Sequence, residues 1–208
     1  MIVEPVRLEG RLIHLVPLTL DHVPALYRYS HPEIFRWVLE FPRDESLEAF
    51  QDWLRTSAIE APASLAFAMV LAETGEPVGA TGFLEIRERH RSLEIGRTWI
   101  GKAWQGTQVN PESKYLLLRH AFETLGALRV QFKTDSNNVH SQRAIEKLGA
   151  VREGVLRNYQ IRSNGLPRHT VMYSIIAEEW PAVKARLEGR LGRPSPPAPL
   201  PQVGEGCG

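Results

Sequence analysis

The sequence lacks several features that whole classes of protein need. It contains one cysteine, Cys207, close to the C-terminus, so neither a disulfide framework nor a cysteine nucleophile is expected. Its longest apolar runs, such as residues 65–72, are far shorter than the ~20 residues of a membrane-spanning helix. The N-terminus carries Glu4 and Arg7 instead of a signal-peptide apolar stretch, so we expect a cytoplasmic protein.

The charge is almost balanced, and the sequence patterns of other enzyme classes are missing. Lysine and arginine number 25 against 24 acidic residues, so no strong field favours a nucleic-acid or membrane partner. The chain has no G-x-S-x-G elbow and no G-x-x-x-x-G-K-[ST] loop, and its seven histidines lack H-x-x-x-H spacing. Serine hydrolases, P-loop nucleotide hydrolases and zinc proteases are therefore disfavoured, and we expect no metal.

What the chain does contain suits one compact domain. Of its 208 residues, 43% are hydrophobic, which is enough for a sizeable core. The C-terminal segment is rich in proline and glycine and has almost nothing to bury. We predict a single domain over residues 1–191 and a disordered tail over residues 192–208.

Hydrophobic periodicity predicts a mixed α/β fold. The predicted strands are 11–18, 65–72, 78–86, 93–100, 130–134, 151–160 and 170–176, and the predicted helices are 19–30, 44–58, 110–125, 138–148 and 178–191. Three consecutive strands before residue 100 imply an antiparallel meander, and strands alternate with helices after it. These features favour a mixed sheet with helices on both faces.

The first candidate site is the loop at residues 105–110, which joins a strand to a helix. Asn110 suits the N-cap of that helix, and Pro111 suits its first position. A helix start exposes unpaired backbone N–H groups that attract phosphate. An ordinary connecting loop is the other interpretation, because helix N-termini greatly outnumber phosphate sites.

The second candidate site is the predicted helix that begins at Asn138. Asn138, Ser141 and Ile145 fall on successive turns, so an amide and a hydroxyl share one face above an apolar anchor. Asn138 could also be only an N-cap, and Ser141 only a solvated residue. Arg143 and Lys147, four residues apart, form a basic edge.

Together these segments resemble the GNAT N-acetyltransferase superfamily. The resemblance rests on W-x-x-x-x-W-Q-G-T-Q-V-N-P-E-x-K-x-L-L-L-x-H-A-F-E, on R-V-Q-F-K-T-D and on N-x-x-S-x-R-A-I-E-K-L-G-A-V-x-E-G-V-L-R. It covers about residues 8–191 and is closest to the ribosomal-protein N-terminal acetyltransferases, the RimJ/RimL-like branch. It implies a mostly antiparallel sheet in which a splayed pair of parallel strands, here 93–100 and 130–134, straddles the pantetheine arm of acetyl-CoA.

The resemblance also implies roles for individual residues. Ser141 would donate a proton to the leaving sulfur, and Glu94 would act as the base, with Glu85 as a weaker rival. A structural carboxylate is the other interpretation of Glu94. Backbone N–H groups at 99–101 would polarise the carbonyl, and Lys114 would join the side chains that meet the CoA phosphates. The implied cofactor-binding residues are Trp99, Ile100, Gln105, Gly106, Thr107, Gln108, Val109, Asn110, Asn138, Arg143 and Lys147.

The chain departs from the family pattern at a few positions. Gln108 and Asn110 occupy the two places where the family's loop usually has small residues, and Ile145 stands where many members have a tyrosine. The resemblance implies direct ternary-complex transfer of acetyl from acetyl-CoA to a primary amine, either a protein N-terminal α-amine or a small-molecule amine. The departures favour an alternative, a non-catalytic CoA- or protein-binding module.

The identity of the acceptor is not encoded in any motif. The family resemblance places it between the helices near residues 20–58 and the hairpin near residues 163–168, with Trp37, Trp53 and Tyr159 as candidate lining residues. The basic segment 87–91 suggests a third interpretation, an RNA-associated protein, although such charges usually mark a solvated hairpin tip. Exposed apolar residues would also allow a homodimer.

Overall fold

A computed structural model describes residues 1–39, 41–162 and 164–192. From residue 193 onward, the predicted disordered tail lies outside the described residues. Position 163, at the start of the predicted acceptor-binding hairpin, lies outside them as well.

A sheet of eight strands forms the centre of the described structure. The strands are β1 (Leu8–Glu9), β2 (Ile13–Pro17), β3 (Leu65–Leu71), β4 (Pro77–Arg87), β5 (Ser92–Ile100), β6 (Arg129–Asp135), β7 (Val151–Ile161) and β8 (Pro167–Ile176). Their spatial order is β1-β2-β3-β4-β5-β6-β8-β7, and all neighbours are antiparallel except β5 and β6. The predicted mixed sheet and its meander through β3, β4 and β5 are confirmed.

Helices cover both faces of this sheet, as predicted. The α-helices are α1 (Val23–Tyr27), α2 (Leu47–Leu54), α3 (Val109–Arg119), α4 (Val139–Leu148) and α5 (Trp180–Arg190). Helix α2 continues as a π-helical turn over Arg55–Ile59, and α3 continues over His120–Thr124. Helix α1 is shorter than the predicted 19–30, because Pro24 has no N–H and suits only the first turn of a helix.

Two hydrophobic cores lie on opposite faces of the sheet. The larger core packs α3, α4 and α5 against one face and contains Leu93 and Ile95 of β5. The smaller core packs α1 and α2 against the other face and contains Trp99. Because side chains alternate along a strand, Glu94, between Leu93 and Ile95, points to the α1–α2 face.

The parallel strands β5 and β6 are joined over a short distance. Their paired residues are Ser92 with Arg129, Leu93 with Val130 and Glu94 with Gln131. The described strands have no further pairing, although β5 runs to Ile100 and β6 to Asp135. The predicted splayed pair is therefore present, and we call the point of divergence at Glu94 the fork.

Candidate active site

The loop between β5 and α3 offers three backbone donors. The N–H groups of Gly106, Gln108 and Asn110 meet no acceptor in the part of the chain that the structure describes. Gly106 and Gln108 are exposed, and Asn110 is half-buried. The loop leads directly into α3, whose N-terminal dipole adds positive potential. It can therefore hold an anionic group such as a pyrophosphate.

Gly106 and Gln108 have different backbone conformations in this loop. Gly106 has a φ of +76°, in the left-handed region that favours glycine. Gln108 has a φ of −75°, which any residue adopts, and its side-chain amide donates to the Arg190 carbonyl at 3.2 Å. The glutamine that replaces a small residue of the family pattern thus imposes no backbone strain.

Helix α3 begins one residue earlier than predicted. Asn110 is not the N-cap, because Val109 is already helical and Gln108 occupies the cap position. The Thr107 hydroxyl accepts the Val109 N–H at 3.3 Å, and the Gln108 carbonyl accepts the Glu112 N–H at 2.9 Å. The Thr107 side chain therefore satisfies the N–H group of Val109, which would lie outside the helix if Asn110 were the N-cap.

The other residues at the end of β5 are mostly buried or hydrogen-bonded within the protein. The side chains of Trp99 and Ile100 are buried in the two hydrophobic cores, so only their main chain could contact a ligand. Gln105 donates from its side-chain amide to the Ile100 carbonyl at 3.1 Å. The Gly101 N–H donates to the Val78 carbonyl at 2.8 Å, so it is not free to polarise a substrate carbonyl.

Lys114 does not approach the phosphate-binding loop. Its buried ammonium group donates to the hydroxyl of Thr81 at 2.9 Å and to that of Thr98. Burial lowers the pKa of Lys114 to about 7. The expectation that Lys114 meets the CoA phosphates is wrong, because its side chain points into the sheet. By contrast, Arg143 and Lys147 are exposed on α4 and make no ion pair within the described residues.

Helix α4 begins with the predicted polar pair. The Asn138 side chain caps the helix by accepting the Ser141 N–H at 3.0 Å, which leaves the Asn138 amide donors available. The half-buried Ser141 hydroxyl has no hydrogen-bond partner among the described residues. Ile145 is buried in the larger core, as expected for the apolar anchor.

Glu94 lies at the fork with a cation beside it. Only 8% of Glu94 is exposed, and its carboxylate is 2.9 Å from the Lys133 ammonium. The Gln131 amide donates to the same carboxylate at 3.3 Å. Lys133 also forms an ion pair with Glu85, which joins β4, β5 and β6 through one charged network.

The two carboxylates of this network differ in their pKa values. Burial raises the pKa of Glu94, although the charge of Lys133 acts against it. For Glu85, partial burial works in the same upward direction, but the hydrogen bond and charge of Lys133, with the charge of Arg87, lower the pKa overall. Glu94 is therefore the carboxylate whose proton affinity is shifted toward neutral pH, as a base acting there requires.

Gln131 and Lys133 were not among the predicted site residues. They alternate in β6 with Val130 and Phe132, which are buried in the larger core. This alternation could have identified them from the sequence, because it places both polar side chains on the face opposite the larger core.

The three candidate lining residues for the acceptor lie in different surroundings. The Tyr159 ring centroid is 5.5 Å from the Lys133 ammonium, which places this tyrosine beside the fork. Trp53 packs against Phe35 and Trp99, with ring centroids 5.0 Å and 6.5 Å away. Trp37 lies under the Arg36 guanidinium.

The described ranges contain no group of three or more histidine, cysteine or acidic side chains able to hold a metal ion. No helix among these residues has the length and apolar character needed to cross a membrane.

Comparisons with known proteins bear on this arrangement. A family model described as an acetyltransferase (GNAT) domain matches residues 12–151. The uncharacterized N-acetyltransferase YoaA of Bacillus subtilis (strain 168) is 30% identical over 176 residues, covering 83% of this chain and 97% of that protein. A crystal structure from T. thermophilus, provisionally described as an acetyltransferase, has a TM-score of 0.86 and 44% identity and covers 92% of this chain and 100% of that one. Mycobacterium smegmatis RimJ, in complex with CoA-disulfide, shares the fold with a TM-score of 0.73 at 22% identity over 91% of this chain and 94% of that one.

Proposed function

Because the chain belongs to the acetyltransferase (GNAT) family, and is therefore an acetyl-CoA-dependent N-acetyltransferase, we propose that it acetylates a primary amine by direct transfer, with Glu94 as base. The observation that carries this assignment is the burial of Glu94 at the fork, where β5 and β6 separate. A carboxylate with a raised pKa there lies between the two separating strands and faces the side of the sheet that α1 and α2 cover.

The described residues fit acetyl-CoA as cosubstrate. The free N–H groups of Gly106, Gln108 and Asn110 would hold its pyrophosphate, and the exposed Arg143 and Lys147 would add charge-assisted contacts to its phosphates. Elsewhere along the cofactor, the Asn138 amide and the main chain at residues 99–100 would hold the pantetheine arm. The bound cosubstrate supplies the thioester carbonyl that the amine attacks.

Two side chains would move the protons of the reaction. The Glu94 carboxylate takes the proton that the amine loses as its nitrogen bonds to the carbonyl carbon. The Ser141 hydroxyl donates its proton to the sulfur as the carbon–sulfur bond breaks. Lys133 and Gln131 hold the Glu94 carboxylate in place through their contacts of 2.9 Å and 3.3 Å.

The acceptor in this proposal is a protein N-terminal α-amine or a small-molecule amine. The fold shared with the RimJ protein supports the first of these, as does the resemblance of the loop and α4 to the RimJ/RimL-like branch. The geometry of the fork does not favour one of these acceptors over the other. Tyr159, beside Lys133, would contact the acceptor in both cases.

The Ser141→Ala variant tests the acid. At saturating substrates its turnover should fall by roughly 10²- to 10⁴-fold, the range for a positioned proton donor. His140→Ala, an exposed neighbour on the same helix, is the matched control and should leave turnover unchanged. An unaltered rate in Ser141→Ala would remove Ser141 from the mechanism.

A panel of amines tests the proposal as a whole. Free thiol released from acetyl-CoA would be measured with peptides, polyamines, amino acids and aminoglycosides, and acetyl-CoA binding would be measured by calorimetry. We expect amine-dependent thiol release with at least one class. Tight binding of acetyl-CoA without such release would instead support the non-catalytic module.

A further inference from the structure

Two arginines near the end of β6 share one carboxylate. The Arg162 guanidinium lies 2.5 Å from an oxygen of Asp135, and the Arg168 guanidinium lies 3.6 Å from the same oxygen. Asp135 is only 2% exposed, and its other oxygen accepts the Asn137 N–H at 2.9 Å. We call Arg162 and Arg168 the arginine pair.

The hydrogen-bonding capacity of the arginine pair is largely unused. Arg168 is 8% exposed, yet its guanidinium makes no hydrogen bond within the described residues. The Nε–H groups of Arg162 and Arg168 are both buried without a partner there, and so is the hydroxyl of Thr170. Buried donors normally find acceptors, so this cluster has unused capacity to donate hydrogen bonds to a ligand.

The arginine pair lies on the same face of the sheet as Glu94. Asp135 alternates with buried Thr134 and follows Gln131 and Lys133 on their face of β6. Arg168 and Thr170 share that face of β8, since Val171 and Tyr173 point into the larger core. Burial lowers the pKa of Arg168, and the charge of Arg162 lowers it further, while the charges of Asp135 and Glu94 act in the opposite direction.

The charges on this face leave the arginine pair under-neutralised. Lys133 already has two carboxylates, Glu85 and Glu94, as partners. Among the described residues, Asp135 is the one carboxylate in contact with both guanidinium groups. Arg162 has 26% of its side chain exposed, but Arg168 is buried, and excess charge beside a buried guanidinium is costly unless it is paired. A planar guanidinium fork matches the oxygens of a carboxylate or phosphate.

We propose that the acceptor carries an anionic group, a carboxylate or a phosphate, which binds the arginine pair while its amine lies at Glu94. This inference rests on the proposed acetyl transfer. Asp135 lies four residues beyond Gln131 on β6, or ~13 Å along the strand, so amine and anion are separated by several bonds. The arginine pair thus selects among amines, whereas Glu94 and Ser141 act on the reacting atoms.

Matched amines that differ only in charge test this inference. The panel pairs 4-aminobutanoate, 6-aminohexanoate and 8-aminooctanoate with their primary amides, the C-terminally amidated dipeptide Ser-Glu with amidated Ser-Gln, and 6-aminohexyl phosphate with 6-amino-1-hexanol. We expect kcat/KM to favour the anionic member by about 10- to 100-fold in at least one pair, the range for hydrogen bonds to charged groups. The carboxylate and phosphate arms show which anion the site takes.

Variants assign that preference to the arginine pair. Arg162→Gln and Arg168→Gln should each reduce it to within about threefold of unity while retaining activity on the neutral member, which also shows that the variants fold. Arg157→Gln, on the exposed strand β7, is the matched control and should keep the wild-type preference. Variants that keep the full preference would overturn the inference.

Failure of the inference is distinguishable from failure of acetyl transfer. Turnover of anionic and neutral members at equal kcat/KM would overturn the anionic acceptor and leave the transferase intact. If none of these amines releases thiol, calorimetry with the same pairs on the CoA-loaded protein decides the inference. Tighter binding of the anionic members would then support it, and equal affinities would overturn it.

Discussion

Glu94 has two charged neighbours that change its pKa in opposite directions. The nearby negative charge of Glu85 raises this pKa, and Lys133 lowers it, on top of the larger upward effect of burial. A base works only when deprotonated, so kcat/KM should decline as the pH falls through the pKa of Glu94. The acidic limb of the pH–rate profile therefore reports the charges around one carboxylate.

Substitutions at and around Glu94 should change the acidic limb of the pH–rate profile in defined directions. Glu94→Gln should abolish it, Lys133→Met should move it to higher pH by about 1 to 3 units, and Glu85→Gln should move it to lower pH. The exposed Glu88→Gln is the control and should leave it in place. A limb that survives in Glu94→Gln would assign it to another group.

Lys114 makes stability depend on pH. In the folded protein its pKa is about 7, against an ordinary 10.5, so between these values the unfolded chain binds more protons than the folded one. Stability therefore rises with pH across this window, and the full penalty of burying a charge remains below pH 7.

Replacing Lys114 with methionine should remove this dependence. Relative to Lys114→Met, the wild type should gain about 1.4 kcal/mol of unfolding free energy per pH unit between pH 7.5 and 9.5. Urea unfolding over a pH series measures the difference. Lys102→Met, at a site with 79% of the side chain exposed, should give a curve parallel to the wild type. A parallel curve for Lys114→Met would show that the buried lysine is not charged differently in the two states.

At the residue scale, the sequence supplied candidates for the reacting groups but not the side chains that contact them. The resemblance pointed to Glu94 and Ser141 as catalytic residues, and their roles stay predictions. Lys133 and Gln131 were missed because their contacts with Glu85 join positions 46 to 48 residues apart. Lys114 was misplaced because periodicity does not reveal that α3 is buried nearly all round.

At the element scale, the loop before α3 contains one glycine whose left-handed backbone conformation other residues adopt only at a cost. Gly106→Ala should weaken CoA binding by about 10-fold, because a left-handed φ costs other residues about 1 to 2 kcal/mol. No atom would clash with the added methyl group, so the backbone conformation alone causes the loss. Gln108→Ala is the matched variant, and calorimetry should find its affinity within about twofold of wild type. Equal losses in both variants would contradict this account.

The ends of a helix were predicted correctly where a single residue determines the boundary. Asn138 caps α4 and Gly149, with a φ of +105°, ends it, both as expected from their chemistry. The start of α3 was off by one residue because Thr107 and Asn110 are both able to cap a helix, and only the tertiary position of the loop selects between them.

The edge strand β7 is the element most open to solvent. Its exposed apolar residues are Val151, Val155, Leu156, Tyr159 and Ile161. Edge strands with apolar side chains are suited to pairing with another chain. The homodimer expected from the sequence stays a prediction.

At the scale of the whole molecule, one buried carboxylate joins the N-terminal hairpin to α3. Glu112 accepts backbone N–H groups of Arg11, Leu12 and Ile13 at 2.7 to 3.0 Å, across about a hundred residues of chain. Glu112 is 1% exposed, so its carboxylate has almost no access to water and depends on these three donors. No sequence pattern shows this role, because the carboxylate and its three donors are about a hundred residues apart along the chain.

Glu112→Gln should therefore destabilise the fold although it conserves shape. A single amide oxygen replaces two carboxylate oxygens, and an N–H₂ group is brought against backbone donors, so we expect a loss of about 2 to 4 kcal/mol in unfolding free energy. Chemical denaturation measures this loss, with the exposed Glu4→Gln as control. A change below about 0.5 kcal/mol would mean that the hairpin is held by its apolar contacts instead.

The architecture as a whole was accessible from the sequence because its elements are local and periodic. The splayed pair was expected only through the family resemblance, and the position of the fork was not predicted, since nothing in residues 93–100 encodes where pairing with β6 stops. The arginine pair was not anticipated at all, because Asp135, Arg162 and Arg168 come together only when β6 and β8 align.

Strands β5 and β6 are paired at three positions only, near the start of each strand. Beyond these positions, the main-chain groups on the facing edges of the two strands border a gap. An extended molecule that carries amides of its own can occupy such a gap as a surrogate strand. Under the proposed function, the pantetheine arm of acetyl-CoA would be that molecule, and cosubstrate binding would then bridge the two strands that the protein alone leaves apart.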